Sequence, residues 1–507
     1  MLFNSYTFIF LFIPITVAGF FALARWAGHR VAVGWLTACS LFFYSWWDVT
    51  NLPIILISIF GNYVVGGLLS SPTRTTGGKK LVLALGVAAN LAALGYYKYT
   101  NFLVDNINAL TGAELYVRTI VLPLGISFFT FQQVAFLVDA YRGETKEYDF
   151  VEYALFVCFY PQLIAGPIVH HKEIIPTFNS RRTDTARWSN IGLGLAIFTV
   201  GLFKKVVIAD SVSGTANSVF GAAHAGGAPT LVSAWTGALA YTFQIYFDFS
   251  GYSDMCVGLG RMLGVTIALN FNSPYKAVNI VDFWRRWHIT LSRFLRDYLY
   301  IGLGGNRKGP ARRYVNLFLT MLLGGLWHGA AWTFVAWGAL HGTMLIVNHA
   351  WAHARERYFP GLEGATKTGT TAGKLVRAAC VLLTFLMVIV GWVFFKAPSF
   401  HGALAMFEGM LGMKGLGLDE VRRHADALIW FPVLFPLIWF VPNTNEIFAR
   451  AQREVDPDFD TIHGRMTPRE GGVSFRPTLV WGLAIVVMFL WAVTHVDRVQ
   501  EFLYWQF

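Results

Sequence analysis

The chain has 507 residues, of which 55% are hydrophobic and only 14% charged, well below the roughly 25% charged share of soluble domains. With a mean hydropathy of +0.49, a soluble enzyme, a disordered chain and a disulfide scaffold are excluded, and a polytopic membrane protein remains. The 40 Lys and Arg against 29 Asp and Glu give a formal charge of +11, which basic cytoplasmic loops explain without a nucleic-acid partner.

Residues 1–7 carry no basic side chain, so the first apolar run reads as a retained transmembrane helix and not as a signal peptide. Apolar segments approaching or reaching spanning length lie near 6–23, 31–47, 52–69, 81–97, 120–138, 153–169 and 191–203. Others follow near 231–249, 255–269, 315–331, 332–350, 375–395, 428–441 and 478–495. A spanning helix needs about 17–25 residues, and the expectation is a single all-α integral membrane domain over 1–507. It has about eleven to thirteen transmembrane or re-entrant helices plus one amphipathic interfacial helix.

Arg25 with Arg30, and Arg74 with Lys79 and Lys80, mark two loops as cytoplasmic, as do the basic stretches 170–189, 270–314 and 443–477. Both termini are then expected outside, and 443–477 is expected to be a polar cytoplasmic loop. If 120–138 and 153–169 both crossed fully, 170–189 would fall on the wrong side. One is therefore expected to be re-entrant, and Pro161 with Gly166-Pro167 favours the second.

Between Asp282 and Leu303, a 100° period puts Phe283, Trp287, Leu291, Phe294 and Tyr298 on one face. Arg285, Arg286, Arg293, Arg296 and Asp297 occupy the other. This predicts one helix along the membrane interface, with His288 at the edge of its apolar face, directed inward.

An imidazole in an apolar helix must find a partner or a task. His328 stands in Gly324-Gly325-Leu326-Trp327-His328-Gly329; a helix starting near Tyr314 would carry it about 21 Å from that end. Gly325 with Gly329, and Gly338 with Gly342 around His341, have small-xxx-small spacing for close helix approach. A catalytic base and a histidine bonded to a carbonyl between packed helices both fit. Asp248 and Asp254 suit an ion path or a structural role at an unwound turn. Cys39, Cys158, Cys256 and Cys380 stand singly as core residues. No HExxH and no Cys/His cluster appears, so no metal is expected. His170-His171 reads as a solvated pair.

Phe283-Trp284-Arg285-Arg286-Trp287-His288, Leu303-Gly304-Gly305-Asn306-Arg307 and the Trp327-His328-Gly329 stretch together resemble the membrane-bound O-acyltransferase family. Within it, they resemble membrane subunits of bacterial alginate and polysaccharide O-acetylation systems. Further matches are 122–128, 163–167, 246–254 and 297–300, and the likeness is densest from Leu122 to His349. The resemblance implies a catalytic core over 120–350 around a central tunnel, with His328 as catalytic histidine and His288 as its second polar residue. By the same analogy a cytoplasmic thioester, acetyl-CoA, is the donor for O-acetylation of an exopolysaccharide, and no bound cofactor is expected.

Arg285, Arg286, Asn306 and Arg307 are then donor-binding candidates, and Trp327, His341 and Asp248 tunnel candidates. His328 would accept the proton of the attacking hydroxyl; His288 or a nearby amide would orient the thioester or stabilise the oxyanion. The ending Phe502-Leu503-Tyr504-Trp505-Gln506-Phe507 offers Tyr504 as a covalent acyl relay, with an aromatic interface anchor as the bland alternative. The implied partners are an extracytoplasmic acetyltransferase subunit and membrane lipid, and the implied location is the bacterial inner membrane. A transporter or flippase of a polysaccharide precursor, and an acyltransferase acting on a lipid or protein, are the competing readings.

Overall fold

Apolar runs too long for strands fold as helices throughout the computed structural model, which describes residues 1–145, 148–178, 187–358, 369–456, 459–460, 473–496 and 503. No strand occurs among them. A π-turn at Phe8–Phe12 leads into α1 (Ile13–Trp26), then α2 (His29–Ser45), α3 (Leu52–Ser70), α4 (Thr76–Thr111), α5 (Ile126–Tyr141) and α6 (Phe150–Cys158). Next come α7 (His171–Phe178), α8 (Trp188–Phe203), α9 (Asp210–His224), α10 (Leu231–Met262), α11 (Ile280–Trp284) and α12 (Ile289–Phe294). The remainder are α13 (Gly309–His328), α14 (Trp332–Tyr358), α15 (Thr371–Lys396), α16 (Phe400–Met410), α17 (Ala425–Leu428), α18 (Phe431–Trp439), α19 (Thr444–Val455) and α20 (Leu479–Val493).

Among the described residues, five helical segments are long and apolar enough to cross a membrane: Phe8–Trp26, Val49–Ser70, Thr76–Thr111, Trp188–His224 and Thr371–Lys396. The pair Ala425–Trp439 and Thr444–Val455, bent by 46°, makes a sixth if taken as one broken span. This is a multi-pass membrane protein.

At its centre stands α10, in which every residue from Ala240 to Met262 is buried. Helix α8 packs on it backbone to backbone, and a methyl group on Gly194 would sit 2.6 Å from the Gly258 oxygen. The segments expected separately at 231–249 and 255–269 are joined here in one 32-residue helix. Asp248 and Asp254 do not unwind it, because cations from the next layer reach them. Lys205 Nζ lies 2.7 Å from Asp248 and Lys204 Nζ 2.6 Å from Asp254. Both lysines project from a π-turn, Lys204–Ala209, between α8 and α9.

Two other segments depart from expectation. The interfacial helix over 282–303 is broken: α11 stops at Trp284, His288 takes left-handed backbone angles (φ 43°, ψ 54°), and α12 then restarts. The cause is a competing backbone partner. Asn272 N–H donates to the Arg286 carbonyl (2.9 Å) and Ile289 N–H to the Asn270 carbonyl (3.0 Å), removing both groups from the helical ladder. The apolar face is also covered by protein: Trp287 stacks on Phe283 and meets Trp392 at 4.7 Å.

Residues 443–456, assigned to a polar loop, begin with a capping box between Asn443 and Glu446 and form α19. Its first two residues are buried, with Thr444 donating to Asp254 (2.7 Å) and Asn445 to the Phe271 carbonyl (3.0 Å). In the segment expected at 153–169, helix ends at Cys158. The non-helical stretch that follows is covered by protein, as the backbone polar groups of a membrane domain require.

Candidate active site

His328 is the last residue of α13, which starts at Gly309, five residues before the expected start. The ring is therefore at a helix end and not within a span. Gly329 is extended, the chain turns, and α14 begins at Trp332. His328 is 3% exposed, with its ring centroid 5.1 Å from Trp327, 5.0 Å from Trp337 and 5.1 Å from Phe395. Gly325 and Gly338 allow this corner, because a methyl at Gly325 would lie 3.0 Å from the Gly338 Cα.

His288 brings the second imidazole to 6.4 Å, centroid to centroid. Its orientation follows from one amide. Asn270 Oδ1 accepts from the Thr290 N–H (3.3 Å) and hydroxyl (2.9 Å), so this atom is the carbonyl oxygen. His288 Nδ1, 3.0 Å away, must then be the protonated nitrogen, and the neutral ring carries its lone pair on Nε2. Neutral His288 is thus an acceptor at Nε2, unsuited to the oxyanion-donor role considered from sequence. Phe249 closes one side of the ring at 4.8 Å.

One N–H of the box is itself uncommitted. The Trp337 indole nitrogen is buried and has no hydrogen-bond acceptor among the described residues. His341, on the far side of Trp337 at 4.6 Å, is fully buried, and neither ring nitrogen has a partner among the described residues.

Two side chains that the sequence reading passed over hold this constellation. Asn270 is one. The other is Lys98 of α4, which reaches the backbone beneath His328 with its neighbour Tyr99. The signal for Lys98 is a cation adjoining the apolar run 81–97.

The family profile for MBOAT, the membrane-bound O-acyltransferase family, matches residues 47–390. The chain belongs to the membrane-bound O-acyltransferase family. It is 42% identical over 455 residues to the peptidoglycan O-acetyltransferase of Helicobacter pylori, covering 85% of this chain and 83% of that one. It is 37% identical over 548 residues to the probable alginate O-acetylase AlgI of Pseudomonas aeruginosa, covering both chains in full. A more distant relative is the teichoic acid D-alanyltransferase of Streptococcus thermophilus, 26% identical over 295 residues, 54% of this chain and 68% of that one. Membership decides between the acyltransferase and transporter readings: the protein is a membrane O-acyltransferase.

The remaining candidates of this O-acyltransferase disperse. Arg286 pairs with Asp282 (2.8 Å) and donates to the Asn272 carbonyl (3.2 Å), supporting the His288 turn. Arg285, Asn306 and Arg307 are exposed. Asp248 is committed to Lys205 and accepts from the Leu503 N–H (3.2 Å); Tyr504 lies outside the described residues.

A polar cleft of about 380 Å³ is lined by Arg142, His170, Lys172, Glu173, Arg293 and Tyr298, among others. His170 and His171 are not the solvated pair expected, because they face Tyr298 (3.2 Å) and buried Asp139 (3.1 Å). Burial lowers the His170 pKa. His328 does not line the cleft. An aromatic stack joins the two: Tyr298 to Phe294 (5.1 Å), Phe294 to Phe131 (4.1 Å), Phe131 to Trp327 (4.9 Å) and Trp327 to His328.

Proposed function

We propose that this O-acyltransferase moves an acetyl group from a cytoplasmic thioester, acetyl-CoA, across the bacterial inner membrane for O-acetylation of an exopolysaccharide. The observation carrying the proposal is the approach of His328 and His288 inside an aromatic box, in a chain whose relatives are named O-acetyltransferase and O-acetylase. His328 takes the proton of an acceptor hydroxyl while that oxygen attacks the thioester carbonyl. The C–S bond breaks, and the departing sulfur receives the proton from His328. Trp337 N–H donates to the oxygen that becomes negative during attack, and His288, its Nδ1–H fixed on Asn270, orients the thioester from across the box.

The donor phosphates meet exposed Arg285 and Arg307, because Arg142, Lys172 and Arg293 of the cleft are already paired with Asp139, Glu144 and Glu173. The thioester arm then follows the stack from Tyr298 to Trp327. On this reading the acceptor is the Tyr504 hydroxyl, on a C-terminal segment facing outward, like the N-terminus. Its ester splits transfer into two steps and hands acetyl to an extracytoplasmic acetyltransferase subunit. Docking of the neighbouring Leu503 N–H on Asp248 supports a tail seated within the membrane domain.

The test is incubation of the full chain in lipid nanodiscs with radiolabelled acetyl-CoA. Release of CoA and label on the peptide bearing Tyr504 are expected, with the label lost in Tyr504→Phe. No thiol release refutes the donor; thiol release with an unlabelled Tyr504 peptide refutes the relay.

A further inference from the structure

A helix leaves its last four carbonyls without intrahelical donors, and a left-handed residue just beyond the end is a common way to satisfy them. Helix α13 lacks that device. Gly329 is extended (φ −160°, ψ 149°) and makes no capping backbone bond, although the final residue is His328. The donors come from a helix more than 220 positions away. Tyr99 Oη donates to the Leu326 carbonyl at 2.9 Å, and Lys98 Nζ to those of Trp327 and His328 at 2.5 and 3.3 Å.

The third acceptor of Lys98 is Ser127 Oγ at 3.2 Å. An ammonium group has three N–H bonds, and here three acceptors meet them. Lys98 is buried, and a buried cation without compensating partners is strongly disfavoured. The partners of this one are a hydroxyl and two carbonyls, with the Trp327 ring 5.7 Å from the nitrogen. A positive charge at a helix C-terminus also opposes the partial negative charge of the aligned carbonyls.

We infer that Lys98 and Tyr99 are positioning residues that clamp the carbonyl end of α13 and thereby fix the direction of the His328 ring. This rests on the reading of His328 as the base. The clamp acts through the backbone. The His328 carbonyl is held by the same ammonium that holds the preceding carbonyl, so the peptide planes on which the side chain is mounted cannot swing. The adjacent Trp327 indole is held in turn, donating to the Ser127 carbonyl at 3.4 Å. One cation therefore registers α4, α5 and α13 around the imidazole.

The experiment compares wild type, Lys98→Met, Lys98→Arg, Tyr99→Phe and His328→Ala as full chains in nanodiscs. One readout is single-turnover thiol release from acetyl-CoA, its maximal rate constant and half-saturating donor concentration standing as kcat and KM; the other is peptide-mapped carbethoxylation of His328 by diethyl pyrocarbonate, which needs no turnover. Lys98→Met is expected to lower kcat about 10–100-fold with little change in donor KM, the scale of an ångström-level misplacement. Carbethoxylation of His328 should rise in Lys98→Met, and Lys98→Arg should restore much of both signals. Tyr99→Phe should fall between, and it decides the matter if Lys98→Met does not fold. Wild-type kcat and wild-type His328 reactivity in Lys98→Met and Tyr99→Phe, with His328→Ala inactive, overturns the clamp alone. Normal turnover by His328→Ala instead refutes the base. If wild type releases no thiol, the donor proposal fails and carbethoxylation alone decides the clamp.

Discussion

The rings of His288 and His328 lie 6.4 Å apart, although one comes from a left-handed residue between two short helices and the other from the end of a 20-residue helix. Each is held by groups distant in sequence: His288 by Asn270, and the His328 backbone by Lys98. Substitutions in the rings and in their supports should therefore separate chemistry from architecture.

His328→Ala should lower acetyl transfer about 10²–10⁴-fold, the usual contribution of a general base. The box of Trp327, Trp337 and Phe395 remains, so thermal unfolding should show a folded protein. Near-normal turnover by this variant would remove the base assignment.

Trp337→Phe keeps an aromatic wall and deletes the N–H. If that N–H meets the developing oxyanion, kcat should fall about 10²–10³-fold, the scale for one such donor. Donor KM should move little. A drop confined to KM would make Trp337 part of the wall and nothing more.

Asn270→Ala removes one oxygen that accepts three donors. Leaving buried donors unsatisfied costs about 1–3 kcal/mol, and the His288 turn loses its anchor. Lower unfolding stability and lower turnover are expected together, with both partly regained in Asn270→Asp. Wild-type values for both quantities in Asn270→Ala would show the amide to be dispensable.

The two histidines were legible because an imidazole is costly in an apolar run, whereas their supports were not. The break at His288 depends on Asn270 and Asn272 competing for backbone groups, which no period within 282–303 encodes. A charged residue inside an apolar run looks like a breaker until its partner is known, so the sequence divides α10 into two apolar segments. Its partners are lysines on a π-turn 40 to 50 residues upstream. Helix α19 was readable: Asn443 and Glu446 have capping-box spacing, but the basic, polar composition downstream masked it.

Acid should loosen the segment that covers the N-terminus of α10. Leu231 and Val232 N–H groups donate to the Gly415 and Leu416 carbonyls (2.9 and 3.1 Å). Behind them, Ser233 donates its one hydroxyl hydrogen to Glu420 (2.5 Å) and accepts from His424 Nε2 (2.7 Å). Hydrogen bonds from Ser233 and Thr230 hold the Glu420 carboxyl below its ordinary range, and burial lowers the pKa of His424. A released His424 therefore binds a proton more readily than a docked one. As pH falls through the ordinary histidine value of about 6.5, release is favoured. Glu420 contributes above its ordinary carboxylate pKa, and its contribution is lost only in stronger acid, as pH falls through the depressed value. Between pH 7 and 5 the effect belongs to His424. Hydrogen-exchange protection factors for the peptide spanning Leu231 and Val232 should fall across that interval in wild type and stay flat in His424→Gln. Equal protection at both pH values in wild type would show that His424 does not secure the segment.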